Sequence, residues 1–158
     1  MASRNAHRGF TLVEILIVVV ILGILATLVI GNFTSTVDET TKSTLLRQLQ
    51  HIENQVELYR ASNGGQLPST DAGAPLGTGE SLNGWGILVS ENYLREQPWN
   101  PYTASTLLVA GDEAAARAVS SSGSEGWFYE FTGASITFHA AGYDATANEL
   151  FHEMSGGG

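Results

Sequence analysis

Residues 9–30 decide how this chain is built, and they read Gly9-Phe-Thr-Leu-Val-Glu-Ile-Leu-Ile-Val-Val-Val-Ile-Leu-Gly-Ile-Leu-Ala-Thr-Leu-Val-Ile30. Between Phe10 and Ile30 the only charged residue is Glu14, and the rest of the stretch has no polar face. A helix of about 21 residues is about 31 Å long, which matches the hydrocarbon core of a bilayer, about 30 Å thick. The stretch therefore predicts a membrane-spanning helix over residues 10–31.

This apolar run differs from the core of an ordinary secretory signal peptide. It is longer than the usual run of about 7–15 residues, and no small-residue cleavage site follows it. A short basic leader, residues 1–9, precedes it and carries Arg4 and Arg8. Arginine and lysine residues that flank a membrane span stay on the cytoplasmic side. The sequence therefore predicts a single pass with a cytoplasmic N-terminus and an extracytoplasmic C-terminus.

The motif Gly9-Phe10-Thr11-Leu12-Val13-Glu14, followed by the apolar run, resembles the N-terminus of type IV prepilins and type II secretion pseudopilins. The resemblance implies that a prepilin peptidase cleaves between Gly9 and Phe10, on the cytoplasmic side. It implies that Phe10 then becomes an N-methylated N-terminus and that the apolar segment stays on the protein. It also implies that Glu14 pairs with the Phe10 ammonium of a neighbouring subunit during assembly.

Composition limits what the rest of the chain can be. A length of 158 residues favours one domain plus its anchor, and the absence of cysteine excludes disulfides. The formal net charge is −9. An acidic surface repels phosphate backbones, so we expect no nucleic-acid partner.

Residues 32–63 read as an amphipathic stalk helix that continues the anchor. One apolar stripe recurs with helical spacing, namely Leu45, Leu49, Ile52, Val56 and Tyr59. We expect this stripe to pack on the subunit's own sheet, the alternative being contacts with neighbouring subunits. Asn63-Gly64-Gly65 predicts the end of the helix. Gly31 stands where many pilin-like chains have proline, which leaves a kink there undecided.

Residues 64–158 read as a globular head. The pattern predicts a surface loop over 69–84, a short helix over 85–94, a strand over 106–110, a helical turn capped by Asp112 over 112–119, a hairpin of 127–131 and 135–139, and a frayed C-terminus over 144–158. The predicted fold class is α+β and pilin-like, with the long N-terminal helix packed on a small antiparallel sheet.

Two further stretches bear on the family. Tyr59 to Pro68 is similar to the junction between helix and head in pseudopilins, and Pro98-Trp-Asn-Pro-Tyr102 resembles a turn of the major pseudopilins. We interpret the turn as anchored by Trp99 and Tyr102. The resemblance also implies a calcium ion near the C-terminus, for which Asp144 and Glu149 are the candidate ligands. Because their spacing fits no calcium loop that we recognise, the prediction is that no cofactor is bound.

Nothing in the sequence favours catalysis. His51, His139 and His152 are far apart in the chain and read as structural residues, and no phosphate-binding loop or zinc spacing occurs. The predicted function is therefore that of a structural subunit, not an enzyme.

The predicted role is a pseudopilin of type II secretion that resides in the bacterial inner membrane and assembles into a periplasmic filament. Expected partners are further copies of the chain, the prepilin peptidase, the inner-membrane assembly platform and minor pseudopilins. The alternatives are a type IV pilin for adhesion, motility or DNA uptake, and a membrane-anchored extracytoplasmic binding module that does not polymerise.

Overall fold

The computed structural model of this chain describes residues 11–68, 76 and 81–155, with the backbone alone for residues 28–34, 81 and 155. The chain divides into two compact units, Met1–Asp38 and Glu39–Gly158. A single helix, α1 (Leu12–Ser62), contributes residues to both units.

In the first unit, α1 carries large apolar side chains on all sides, and from Leu12 to Leu25 each of them is exposed in the isolated chain. The backbone stays helical through Gly31. Within the described part of the chain, no helix has both the length and the apolar character needed to cross a membrane. Phe10 and the side chains of residues 28–34 lie outside that part, so the span of residues 10–31 stays a prediction.

In the second unit, the predicted stripe of α1 is confirmed as one side of the core. Leu45 and Ile52 are fully buried, and the other stripe residues are at most 5% exposed. The stripe packs with Trp85, Trp127 and Phe138 in one apolar cluster. The helix ends where predicted, because Gly64 and Gly65 both take the left-handed conformation and the Gly65 amide donates to the Arg60 carbonyl at 2.8 Å.

The main sheet has three strands in the order β1 (Leu108–Ala110), β2 (Trp127–Phe131) and β3 (Ile136–Ala140). Strands β2 and β3 form the predicted antiparallel hairpin, turned at Gly133 with φ of 82°. The α+β class is confirmed, but the expectation of an antiparallel sheet is wrong at one edge, since β1 pairs with β2 in parallel. A parallel pair needs a long crossover connection, and α3 (Glu113–Arg117) lies in it.

Two short helices of the head begin differently: a side chain caps α3, whereas a 3-10 turn precedes α2 (Gly86–Ser90). The predicted cap of α3 is confirmed, because the Asp112 carboxylate accepts a hydrogen bond from the Ala115 amide at 2.9 Å. Helix α2 is shorter than predicted and is preceded by a 3-10 turn over Ser81–Gly84. Within the predicted surface loop, Leu76 is 1% exposed, so that loop is not confined to the surface.

The turn over residues 98–102 is held by Asn100, which corrects the expectation that Trp99 anchors it. Trp99 is 53% exposed, whereas Asn100 is fully buried. The Asn100 side-chain amide donates to the carbonyls of Gly126 and Ala141, at 2.7 and 3.0 Å. Its carbonyl oxygen accepts from the backbone amide of Tyr102 at 2.8 Å. One side chain thus ties the turn to both ends of the β2–β3 hairpin.

The C-terminal segment is also more regular than predicted. It forms a small hairpin, β4 (Tyr143–Asp144) and β5 (Glu149–Leu150), followed by α4 (Phe151–Ser155). The Phe151 amide donates to the Gly142 carbonyl at 2.9 Å and closes the hairpin. The prediction of a frayed end is therefore wrong up to Ser155, and residues 156–158 lie outside the described part.

Candidate functional site

The first turn of α1 places Glu14 in a reciprocal arrangement with Thr11. The Thr11 hydroxyl accepts a hydrogen bond from the Glu14 amide at 3.3 Å. In return, one carboxylate oxygen of Glu14 accepts from the Thr11 amide at 2.7 Å and from the Thr11 hydroxyl at 2.9 Å. This is a capping box, in which the side chains at both positions satisfy backbone amides that the helix start leaves without partners.

The capping box stabilises a negative charge at this position. The N-terminus of a helix carries a partial positive charge, which favours a carboxylate in the first turn. Thr11 was not predicted from the sequence to be part of the site, although the spacing Thr-x-x-Glu before an apolar run is a known signature of this cap. Gly9 and Phe10, the predicted cleavage site, lie outside the described residues.

The candidate calcium ligands lie opposite each other on the C-terminal hairpin, where Asp144 of β4 pairs with Glu149 of β5. Asp144 is 2% exposed and Glu149 is exposed. Both oxygens of the Asp144 carboxylate already have donors. One oxygen lies 2.8 Å from the Arg117 guanidinium, and the other accepts from the amides of Thr146 and Ala147 at 2.8 and 2.9 Å.

A second ion pair connects α1 to α4 within the head. The Lys42 ammonium lies 2.8 Å from the Glu153 carboxylate and 3.3 Å from that of Glu39. The hydrogen bond to Glu153 raises the pKa of Lys42. Burial alone would raise the pKa of Glu153, but the hydrogen bonds from Lys42 and from the Leu150 amide outweigh burial and lower it. Neither Lys42 nor Arg117 was singled out from the sequence, since no local pattern connects a residue to a partner so far along the chain.

The three histidines in the described part of the chain lie on different elements, His51 on α1, His139 on β3 and His152 on α4. The ring of His152 stacks on Tyr102, with the ring centroids 6.2 Å apart. That these histidines are structural residues stays a prediction.

Comparison with known proteins places the N-terminal motif in a defined family. Residues 4–30 match the family described as the prokaryotic N-terminal methylation motif. These residues include Gly9, Phe10 and Glu14 of the predicted site. No solved structure matches the chain at a significant level.

Similarity to curated proteins extends well beyond the motif. The chain is 30% identical over 125 residues to type II secretion system core protein G of Klebsiella michiganensis, covering 78% of this chain and 87% of the relative. It is 30% identical over 133 residues to the protein of that name from Escherichia coli K12, covering 80% of this chain and 88% of the relative. For the Pseudomonas aeruginosa protein of that name, the identity is 33% over 106 residues, covering 63% of this chain and 71% of the relative.

Proposed function

The chain belongs to the family of type II secretion system core protein G, the major pseudopilins, and we propose that it is the subunit that polymerises into the pseudopilus of such a system. Its role is structural. The observation that carries this conclusion is the length of the similarity, which exceeds residues 4–30 several-fold and so includes the head. A shared anchor alone would not separate pseudopilins from type IV pilins, whereas similarity through the head favours the pseudopilins.

Processing by a prepilin peptidase is the first step of this proposal. Cleavage between Gly9 and Phe10 removes the basic leader and leaves the apolar segment on the protein, and methylation then modifies the new amino group of Phe10. The described hydrogen bonds of the capping box are made by the amide and hydroxyl of Thr11. Cleavage therefore leaves the hydrogen bonds to Glu14 intact while it creates a free ammonium one residue before Thr11.

Glu14 is proposed to direct assembly through that ammonium. In the membrane, a carboxylate without partners is costly, and the two donors of Thr11 reduce the cost for a single subunit. When a second copy brings its Phe10 ammonium close, two charges at 4 Å attract by about 4 kcal/mol at an effective dielectric constant of about 20, against about 1 kcal/mol in water. The pairing thus sets the stagger between neighbouring subunits.

The apolar side chains between Leu12 and Leu25 supply the surface that such a filament buries. They are exposed on all sides of α1 in the isolated chain. An all-round apolar helix needs cover on every side, by lipid before assembly and by copies of itself afterwards. Contacts between unlike surfaces of successive copies do not close into a ring, so they generate a helical filament.

The proposed location follows from these steps. The subunit waits in the inner membrane with its N-terminus in the cytoplasm and its head in the periplasm. There it meets the prepilin peptidase, the assembly platform and minor pseudopilins. The charge asymmetry across the apolar segment, with Arg4 and Arg8 before it and an acidic chain after it, supports this orientation.

The Glu14→Leu variant tests the proposed assembly step. We expect this variant to be cleaved like the wild-type chain but to give no filaments, because the Phe10 ammonium would have no partner carboxylate. Cleavage is followed by gel mobility, and filaments by shearing and electron microscopy of cells that overproduce the secretion machinery.

Glu53→Leu is the matched control, since Glu53 is an exposed glutamate of the same helix, outside the apolar segment, with no ion pair among the described residues. We expect it to form filaments. A normal filament yield from Glu14→Leu would show that Glu14 does not direct assembly.

A further inference from the structure

The C-terminal hairpin has the acidic residues that a calcium ion would need, but the protein's own donors occupy them. Calcium takes six to eight oxygen ligands at about 2.3–2.6 Å, each with a lone pair directed at the ion. Both oxygens of Asp144 instead accept hydrogen bonds, one from Arg117 and the other from two backbone amides. Glu149 is left as an exposed carboxylate opposite it. These residues do not fit a calcium site.

A backbone hydrogen bond at the end of α3 fixes the position of Arg117. It is the last residue of α3, and the preceding carbonyl, that of Ala116, accepts a hydrogen bond from the Gly142 amide at 2.8 Å. This bond holds the end of α3 against the entry to β4. The guanidinium then reaches Asp144, whose side chain is almost fully buried. A divalent cation at Asp144 would meet a positive charge already in place.

A second basic residue holds the end of the same segment. Lys42 is 7% exposed, and its ammonium donates to one oxygen of Glu153 at 2.8 Å. The other oxygen of Glu153 accepts from the Leu150 amide at 2.7 Å. Both carboxylates that hold the segment from β4 to α4 are therefore neutralised by basic side chains from elsewhere in the head.

We infer that Arg117 and Lys42 supply the positive charge that the expected calcium ion would have brought to this C-terminal segment, so that the head of this chain folds and stays folded without calcium. The inference rests on the geometry of Asp144 and Glu153 and holds whether or not the chain polymerises. A buried carboxylate must be paired or protonated, and here Arg117 provides the pairing charge. The requirement for an external ion is thereby removed.

Thermal unfolding of the full-length chain in detergent micelles tests this inference. We expect the same Tm in EDTA and in about 2 mM calcium, which is above the weakest affinities of extracellular calcium modules, about 1 mM. We expect Arg117→Gln to lower the Tm by about 5 °C in both buffers, because Asp144 would lose its charged partner. Arg117→Lys, which keeps the charge, should retain most of the wild-type Tm.

Arg95→Gln is the matched control. It removes the same charge from an exposed arginine that makes no ion pair among the described residues, and its Tm should equal that of the wild type. An increase in the wild-type Tm on adding calcium would overturn the inference. An Arg117→Gln variant as stable as Arg95→Gln would overturn it as well.

Discussion

Asn100 shows how much one buried polar side chain contributes to this head. Its amide and carbonyl groups make four hydrogen bonds to backbone atoms, two as donor and two as acceptor. The partners come from the turn itself and from both ends of the β2–β3 hairpin. From the sequence, Trp99 is the more conspicuous residue of the turn, because large aromatic side chains dominate most cores. The position of asparagine between two prolines indicates a turn, but its distant partners belong to the tertiary fold.

The Asn100→Ala variant should therefore be strongly destabilised. The substitution leaves buried backbone amides and carbonyls without partners, at about 1–3 kcal/mol for each group. We expect the free energy of unfolding to fall by about 3 kcal/mol. Urea denaturation followed by tryptophan fluorescence measures this change.

Trp99→Ala, at the exposed neighbouring position, should change the free energy of unfolding by less than about 1 kcal/mol. If Trp99→Ala were the more damaging of the two substitutions, the assignment of the anchor to Asn100 would be wrong.

The elements of the fold differ in how far the sequence predicts them. The stripe of α1 and the cap of α3 are local patterns, and both are confirmed. The parallel pairing of β1 with β2 depends on the path of the chain between them. A predicted helical turn lies in that path and could have indicated a crossover. The hairpin of β4 and β5 has two residues in each strand, too few for an alternating pattern to emerge.

Helix α4 should make the head sensitive to acid through Glu153. Its pKa is lowered in the folded chain from the ordinary value of 4.5, so the carboxylate binds protons more weakly when folded than when unfolded. The stabilisation is present above pH 4.5 and is lost as the pH falls through the folded pKa. We expect the Tm to drop between pH 5 and pH 3, and to drop less in Glu153→Gln, in calorimetric scans of the full-length chain.

Glu149→Gln provides the comparison, since Glu149 is an exposed carboxylate of the neighbouring strand β5 without an ion pair in the described structure. Its acid-induced decrease in Tm should match that of the wild type. An equal decrease in Glu153→Gln and in the wild type would show that the ion pair with Lys42 contributes nothing to the pH dependence.

At the scale of the whole molecule, the two units have different requirements. The head buries its own core around Trp85 and Trp127, whereas the large apolar side chains described from Leu12 to Leu25 remain exposed in the isolated chain. The first unit therefore depends on an environment outside the chain, first lipid and then other subunits. The sequence predicts this dependence well, because an uninterrupted apolar run needs no tertiary information to interpret. The ion pairs that hold the C-terminal segment could not be predicted, since their partners are far apart in sequence.

If the chain is a pseudopilin, the apolar segment remains on the mature protein after the leader is removed. The most direct test is intact-mass spectrometry of the chain extracted from membranes of cells that contain a prepilin peptidase. We expect a mass corresponding to residues 10–158 with one added methyl group, and full-length precursor for the Gly9→Leu variant. A wild-type chain that begins at Met1 or after Ile30, or a Gly9→Leu variant shortened to Phe10, would contradict this expectation.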